Sequence, residues 1–403
     1  MSYRSIVIVI ATYNRPESLN RLLKSIENAN YPKSYKIDLI VSCDYSGVFD
    51  CENVANDFSW KFGEKKVIAH KNNLGLRKHI LYCGDLVKDY DGIIMLEDDL
   101  WVAPNFFKFI IEADQFYKGD ERIGQISLYT NQIDEYSNSR FVPLDQAADV
   151  FFMQVPSSWG QYWTKEQWLA FKDCYERGDL KIDKNSLLPE DVLHIWPESS
   201  WKKYFYNYLV KKDLFVVYPN KALSTNFGEA GTHYFQKHLH NQAVLDNSNG
   251  KYKFVTLEAS NSVYDYNLEY HKDNSNYVLS QSLQGYDVEF DLNGTKNLNK
   301  INSEYLISSK TCLKPIKQFG YDLIPKELNI TYNLEGDFYT LAKTSDFSSE
   351  IPKDKIMKRN IQFVPQAITT EIGSLLKSRY ENSNSFKLGN KIISFFRFFS
   401  FKK

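Results

Sequence analysis

The sequence predicts an α/β fold on a mostly parallel central sheet, followed by a β-rich module. Three observations carry this. Short apolar runs rich in β-branched residues recur at 5–11, 37–42 and 92–96, as expected of strands buried in a parallel sheet. Between them lie stretches with apolar residues at helical spacing, such as Leu19, Leu22, Leu23 and Ile26, and such alternation implies βαβ units. After about residue 240 asparagines crowd the chain, with alternating stretches at 286–292 and 338–341, a turn-and-strand pattern.

Taken in order, Ser5 to Ala11 is the first strand, and Thr12-Tyr13-Asn14-Arg15 breaks it. Pro16 then suits the first turn of a helix, because its φ is already fixed there. The second strand ends at Cys43-Asp44, and 66–69 is a weaker third. Asn72 to Lys78 opens a helix running to about Val87. The fourth strand, 92–96, leads directly into Glu97-Asp98-Asp99. A helix over 105–117 follows Pro104, with Phe106, Phe109, Ile110, Ala113 and Phe116 facing inward. A strand at 124–128, a helix over 164–176 with Trp168 and Phe171 on its inner face, a helix ending near Lys211 and a strand at 214–218 come next. Ser224 to His233 is glycine-rich and polar, which reads as a mobile loop able to close on a ligand. The expected division is a main domain over 1–245, a β-rich module over 246–345 and a tail over 346–403.

Composition narrows the function. At 403 residues the chain can bury a large core. A net charge of −1 gives nucleic-acid binding no electrostatic support. The five cysteines are scattered, odd in number and form no CxxC pair, so free thiols in a reducing cytoplasm are expected. No apolar run approaches a membrane span, and 6–11 is too short for a secretory leader.

Three adjacent carboxylates at the end of a buried strand repel one another, so they call for a compensating cation. Oxygen ligands alone suit a hard ion, Mn²⁺ or Mg²⁺, shared with substrate phosphates. Their place, the carboxyl edge of a central strand, is where open α/β sheets bind ligands. Were the strand to continue, alternation would put Glu97 and Asp99 on one face and Asp98 on the other. No glycine-rich phosphate loop is present, so a nucleotide would be held through a metal and side chains.

These residues resemble a known family. Glu97-Asp98-Asp99-Leu100, with Pro104 and the helix after it, is similar to the metal motif of GT-A-fold glycosyltransferases, most closely inverting enzymes like N-acetylglucosaminyltransferase I. Val41-Ser42-Cys43-Asp44, Thr12 to Arg15, Trp196-Pro197 with Trp201, and 226–233 resemble further family segments in the family's order. The resemblance spans about 5–240 and implies the GT-A (nucleotide-diphospho-sugar transferase) fold. It implies Asp99 as metal ligand, and donor-binding roles for Thr12, Arg15, Asp44, Arg77, Glu97, Asp98 and His233. The activity implied is metal-dependent, inverting transfer from a nucleotide sugar, expected to be UDP-linked, to a saccharide or lipid-linked saccharide. A bacterial cytoplasmic enzyme of surface-polysaccharide synthesis is the expectation. The reading of a different class is a catalytically inactive sugar-nucleotide or polysaccharide binding module of a larger assembly. A nucleotidyltransferase ranks below both for lack of a glycine-rich loop.

Inversion needs a general base, normally a carboxylate. The resembled enzymes carry an Asp directly after the second Trp of the Trp-Pro segment; this chain has Lys202 there, and Gln161 where a Trp is usual after Gly160. A lysine is protonated at neutral pH unless strongly desolvated. The base is therefore sought among Asp191, Glu190, Glu198 and Glu229, with Asp191 or Glu190 favoured and Glu198 next. Finally, Phe395, Phe396, Phe398, Phe399 and Phe401 crowd a basic C-terminus, which suggests peripheral contact with the inner membrane.

Overall fold

The structure is a computed structural model that describes residues 5–229, 242–274 and 283–361. Residues 1–350 form one compact unit and 351–403 a second. The first unit begins β1 (Ile6–Thr12), α1 (Pro16–Glu27), β2 (Asp38–Cys43), α2 (Asp50–Asp57), β3 (Lys65–Ala69), α3 (Gly75–Asp85), β4 (Gly92–Glu97) and β5 (Leu100–Val102). Next come α4 (Phe106–Phe116), β6 (Ile123–Ser127), β7 (Ile133–Asp134), β8 (Ser139–Arg140), β9 (Val150–Met153), β10 (Gln161–Thr164) and α5 (Lys165–Glu176). Then follow α6 (Glu190–His194), α7 (Trp201–Lys212), β11 (Phe215–Pro219), β12 (Ser224–Asn226) and β13 (Val263–Tyr264). β14 (Val288–Asp291), β15 (Tyr305–Ser308), β16 (Lys317–Phe319), α8 (Leu328–Thr331) and β17 (Tyr339–Lys343) complete it. The described part of the second unit is α9 (Lys353–Ile361) with the two residues before it.

Among the described residues the central sheet has nine strands, ordered β13-β9-β11-β6-β10-β4-β1-β2-β3. β4, β1, β2 and β3 are mutually parallel. β10 enters antiparallel between β4 and β6, and β9 runs against β11. The fold is thus the expected mixed α/β, mostly parallel at its centre. Its β1 strand shows why the apolar run had to be continuous. Val7 and Val9 face one hydrophobic cluster while Ile6, Ile8 and Ile10 face the other. Alternation along one strand therefore feeds a core on each side of the sheet. Leu19, Leu22, Leu23 and Ile26 of α1 join the second cluster.

The four-stranded sheet β14-β15-β17-β16 supplies the expected β-rich part. Its Phe290, Phe319 and Leu341 belong to the same hydrophobic cluster as Val7 and Trp163 of the central sheet. Residues 263–264 add a strand to the central sheet itself.

Helix α5 starts where its sequence says it should. Thr164 Oγ1 accepts from Gln167 N while the Gln167 side chain accepts from Thr164 N, a complete capping box. α3 can approach α5 because position 84 is glycine: a Cβ there would sit 2.0 Å from the Trp168 ring.

Two expectations are corrected. Phe116, expected inward, is 44% exposed. It lies in the last turn of α4 and meets the Tyr117 and Phe254 rings. Residues 224–226, expected to begin a mobile loop, form β12, which pairs antiparallel with β5 from Asn226↔Leu100 to Ser224↔Val102. Ser-Thr-Asn has no apolar alternation, so only the presence of an unpaired β5 edge makes it a strand. All five cysteines are free.

Candidate active site

The carboxyl ends of three adjacent parallel strands meet at one point. The register pairs Ala11 with Glu97 across β1 and β4, and Thr12 with Cys43 across β1 and β2. Chain order places β2 on one side of β1 and β4 on the other, which makes this a topological switch point, where open α/β sheets form crevices. The residues just past these ends are Tyr13 to Arg15, Asp44 and Asp98-Asp99.

The strand does not continue through the acids. β4 ends at Glu97, and Asp98 and Asp99 lie in a turn. The expected split of Glu97 and Asp99 from Asp98 is therefore corrected: Arg15 gathers the two aspartates together. Its guanidinium pairs with Asp98 and donates from Nη1 to Asp99 Oδ2 at 2.9 Å. Thr12 Oγ1 donates to Asp98 Oδ2 at 2.8 Å. These partners explain how Asp98 can be 2% exposed, since buried charges persist only when paired.

One arginine does not neutralise three acids. Burial pushes the Glu97 carboxyl up to about 8, with Asp99 adding to the shift and Arg15 opposing it. Burial likewise raises Asp98 to about 6, against the pull of Arg15. Arg15 itself loses from burial but is held above its ordinary value by Asp98 and Asp99. Asp99 Oδ1 is buried without a hydrogen-bond donor. That free oxygen, in a pocket of excess negative charge, fits a hard divalent cation. Among the described residues no three His, Cys, Asp or Glu side chains converge as a cage. A cation at Asp99 would thus need further ligands from substrate phosphates and water.

Asp44 is anchored by backbone. Its Oδ1 accepts from Tyr45 N and Leu74 N, and its Oδ2 from Gly75 N at 3.0 Å. It thereby fixes the start of α3 beside the ends of β1 and β2. Arg77, on α3, donates from Nη1 to Glu198 O at 2.7 Å and to Tyr204 Oη at 3.1 Å. His233 lies outside the described residues.

The four candidate bases differ in their partners. Glu190 accepts from Asn297 and Lys300 and meets His194 Nε2 at 3.1 Å. Burial raises its carboxyl, but Asn297 and Lys300 outweigh that and hold it below the ordinary range. Glu198 accepts from Tyr204 Oη and from Lys203 Nζ, and these hold its carboxyl down. Lys203 is buried and also donates to Leu193 O and Trp196 O. Glu229 forms a two-pronged pair with Arg21 and accepts from Ser18. Asp191 is exposed. Of the four it is the one with no side-chain partner among the described residues.

The acid motif is closed from the other side by β12. Phe227 N donates to Asp99 O at 3.1 Å, and the Arg21 guanidinium lies 3.8 Å from the Phe227 ring centroid. Sequence reading gave Arg21 no role, because an exposed-looking cation on a helix carries no signal of its distant partner. Gln161 is 1% exposed and accepts from both Gln125 and Trp163. It is a buried residue at the start of β10 rather than part of an exposed surface.

Residues 7–170 match the family described as Glycosyl transferase family 2. No curated protein matches the chain. Among solved structures the chain is similar to S. aureus TarS 1–349 in complex with UDP-GlcNAc, at 15% identity, covering 57% of this chain and 60% of that one, TM-score 0.36. It is also similar to the mannosyltransferase PcManGT from Pyrobaculum calidifontis in complex with GDP-Man and Mn²⁺, at 11% identity, covering 58% and 60%, TM-score 0.37. The chain thus spans about three fifths of the length of these structures.

Proposed function

We propose that this chain, whose residues 7–170 match Glycosyl transferase family 2, moves a sugar from a UDP-linked donor to a saccharide acceptor with inversion, as N-acetylglucosaminyltransferase I-like enzymes do. The single observation that carries the reading is Asp99. It sits at the switch point with one oxygen held by Arg15 and the other buried and free. A divalent cation, Mn²⁺ or Mg²⁺, would bind there and neutralise the leaving nucleoside diphosphate. Thr12 and Arg15 fix the acid turn, and Asp44 fixes the neighbouring start of α3, so the nucleotide half of the cleft is set before any ligand arrives. Asp191 takes the proton from the acceptor hydroxyl. The acceptor oxygen attacks the anomeric carbon as the bond to the diphosphate oxygen breaks on the opposite face.

The test is a panel of sugar nucleotides titrated with Mn²⁺, scored by calorimetry and by release of nucleoside diphosphate. At least one UDP-sugar binds, and chelation abolishes its binding. Failure of every sugar nucleotide to bind would leave the binding-module reading, with polysaccharide as its ligand, or neither.

The product's place is surface-polysaccharide synthesis on the cytoplasmic side of the bacterial inner membrane, where lipid-linked acceptors reside. Among the described residues no helix is long and apolar enough to cross a membrane. The basic-aromatic segment 386–403 lies outside the described residues, so its sequence alone carries this part. Deleting it releases the protein from anionic vesicles in a flotation assay; equal flotation of the truncated chain rules the segment out.

A further inference from the structure

The cations around the cleft are nearly all committed. Arg15 holds Asp98 and Asp99, Arg21 holds Glu229, Arg77 donates to Glu198 O, and Lys203 pairs with Glu198. Lys202 is different. Among the described residues it has no carboxylate within ion-pair distance. Its Nζ instead lies 5.1 Å from the Trp196 ring centroid and 6.0 Å from that of Trp159. All three side chains are half-buried.

Topology fixes which side of the acid motif this is. Thr12, Arg15 and Asp44 lie on the β1 and β2 side of β4. Trp159 precedes β10, which pairs with β4 on its opposite edge, with Gln161 against Met95. Trp159 therefore stands at the carboxyl end of β4, across the acids from the nucleotide half.

The geometry points to an acceptor subsite for an acidic saccharide, formed by Trp159, Trp196 and Lys202. This deepens the transferase reading and rests on it. The indole faces offer apolar ground for a sugar ring, and a carboxylate or phosphate on that sugar accepts a hydrogen bond from Lys202 Nζ. Such charge-assisted bonds are about twice as strong as neutral ones. A neutral sugar would leave the ammonium over the indoles without an anion. Lysine presents a point charge rather than a planar fork, so it accepts either anion. Lys202 also lies in the first turn of α7, where Ser200 provides no side-chain cap and the helix end adds positive potential.

The experiment uses the full chain, with and without UDP and Mn²⁺. Calorimetric titrations compare a galacturonate trisaccharide, its neutral galactose counterpart and mannose 6-phosphate. The acidic saccharides bind at least tenfold more tightly than the neutral one, and the carboxylate and phosphate arms tell which anion the site prefers. Lys202→Met, which keeps the stem, loses that preference by about 10- to 100-fold, leaves UDP affinity unchanged, and Lys202→Arg recovers part of it. The subsite is overturned if no acidic saccharide binds, if Lys202→Met binds it as the parent does, or if Lys202→Met loses UDP affinity instead. That last outcome assigns Lys202 to the donor's phosphates. Absence of UDP binding in the parent sinks the transferase reading, while the titration without UDP still decides the subsite.

Discussion

Asp99→Asn lowers kcat/KM for transfer by about 10³-fold, the scale of losing one key electrostatic contact to a developing charge. The substitution keeps the shape of the side chain and removes the charge that would hold the cation. Donor affinity then no longer depends on chelation, because the cation is no longer recruited. Stability separates this from simple damage. In the metal-free protein Asp99 is one of three acids facing one arginine, and its charge helps drive the Glu97 carboxyl upward. Removing that charge relieves repulsion with the other acids while weakening the pair with Arg15, so the two effects oppose and the variant melts close to the parent in thermal denaturation. Transfer within tenfold of the parent, still abolished by chelator, would place the cation elsewhere.

Asp191→Asn lowers kcat by about 10²-fold or more while donor affinity stays at the parent value, as expected for removal of a general base. The other three acids give a different signature, because the fold already uses them. Glu198→Gln takes a charge from Lys203, whose side chain is 3% exposed, and a buried cation left short of its partner is costly. Glu190→Gln weakens the link to Asn297 and Lys300, and Glu229→Gln weakens the pair with Arg21 and Ser18. These variants lower the melting temperature, and any loss of transfer follows that loss of stability. Transfer lost in Glu198→Gln alone, at unchanged melting temperature, would move the base to Glu198 and show that Lys203 is satisfied by the carbonyls of Leu193 and Trp196.

The sequence by itself determined the scaffold of the site. A strand buried on both faces must be apolar at every position, so 5–11 and 92–96 announce themselves without any knowledge of their neighbours. Three acids at the end of such a strand then mark the edge where ligands bind. The α1 face was equally legible, since its periodicity is local and Pro16 marks its start. What the tertiary structure alone decided are the partners of the polar groups. That Arg15 grips Asp98 and Asp99 together rests on a turn after Glu97, which alternation along the strand cannot foresee. That Glu190, Glu198 and Glu229 are held by Lys300, Lys203 and Arg21 rests on residues 110, 5 and 208 positions away. β12 is a strand only because β5 offers it an edge. Apolar burial repeats along the chain and leaves a pattern in it. An ion pair or a shared strand edge joins two points in space, and neither point records the other.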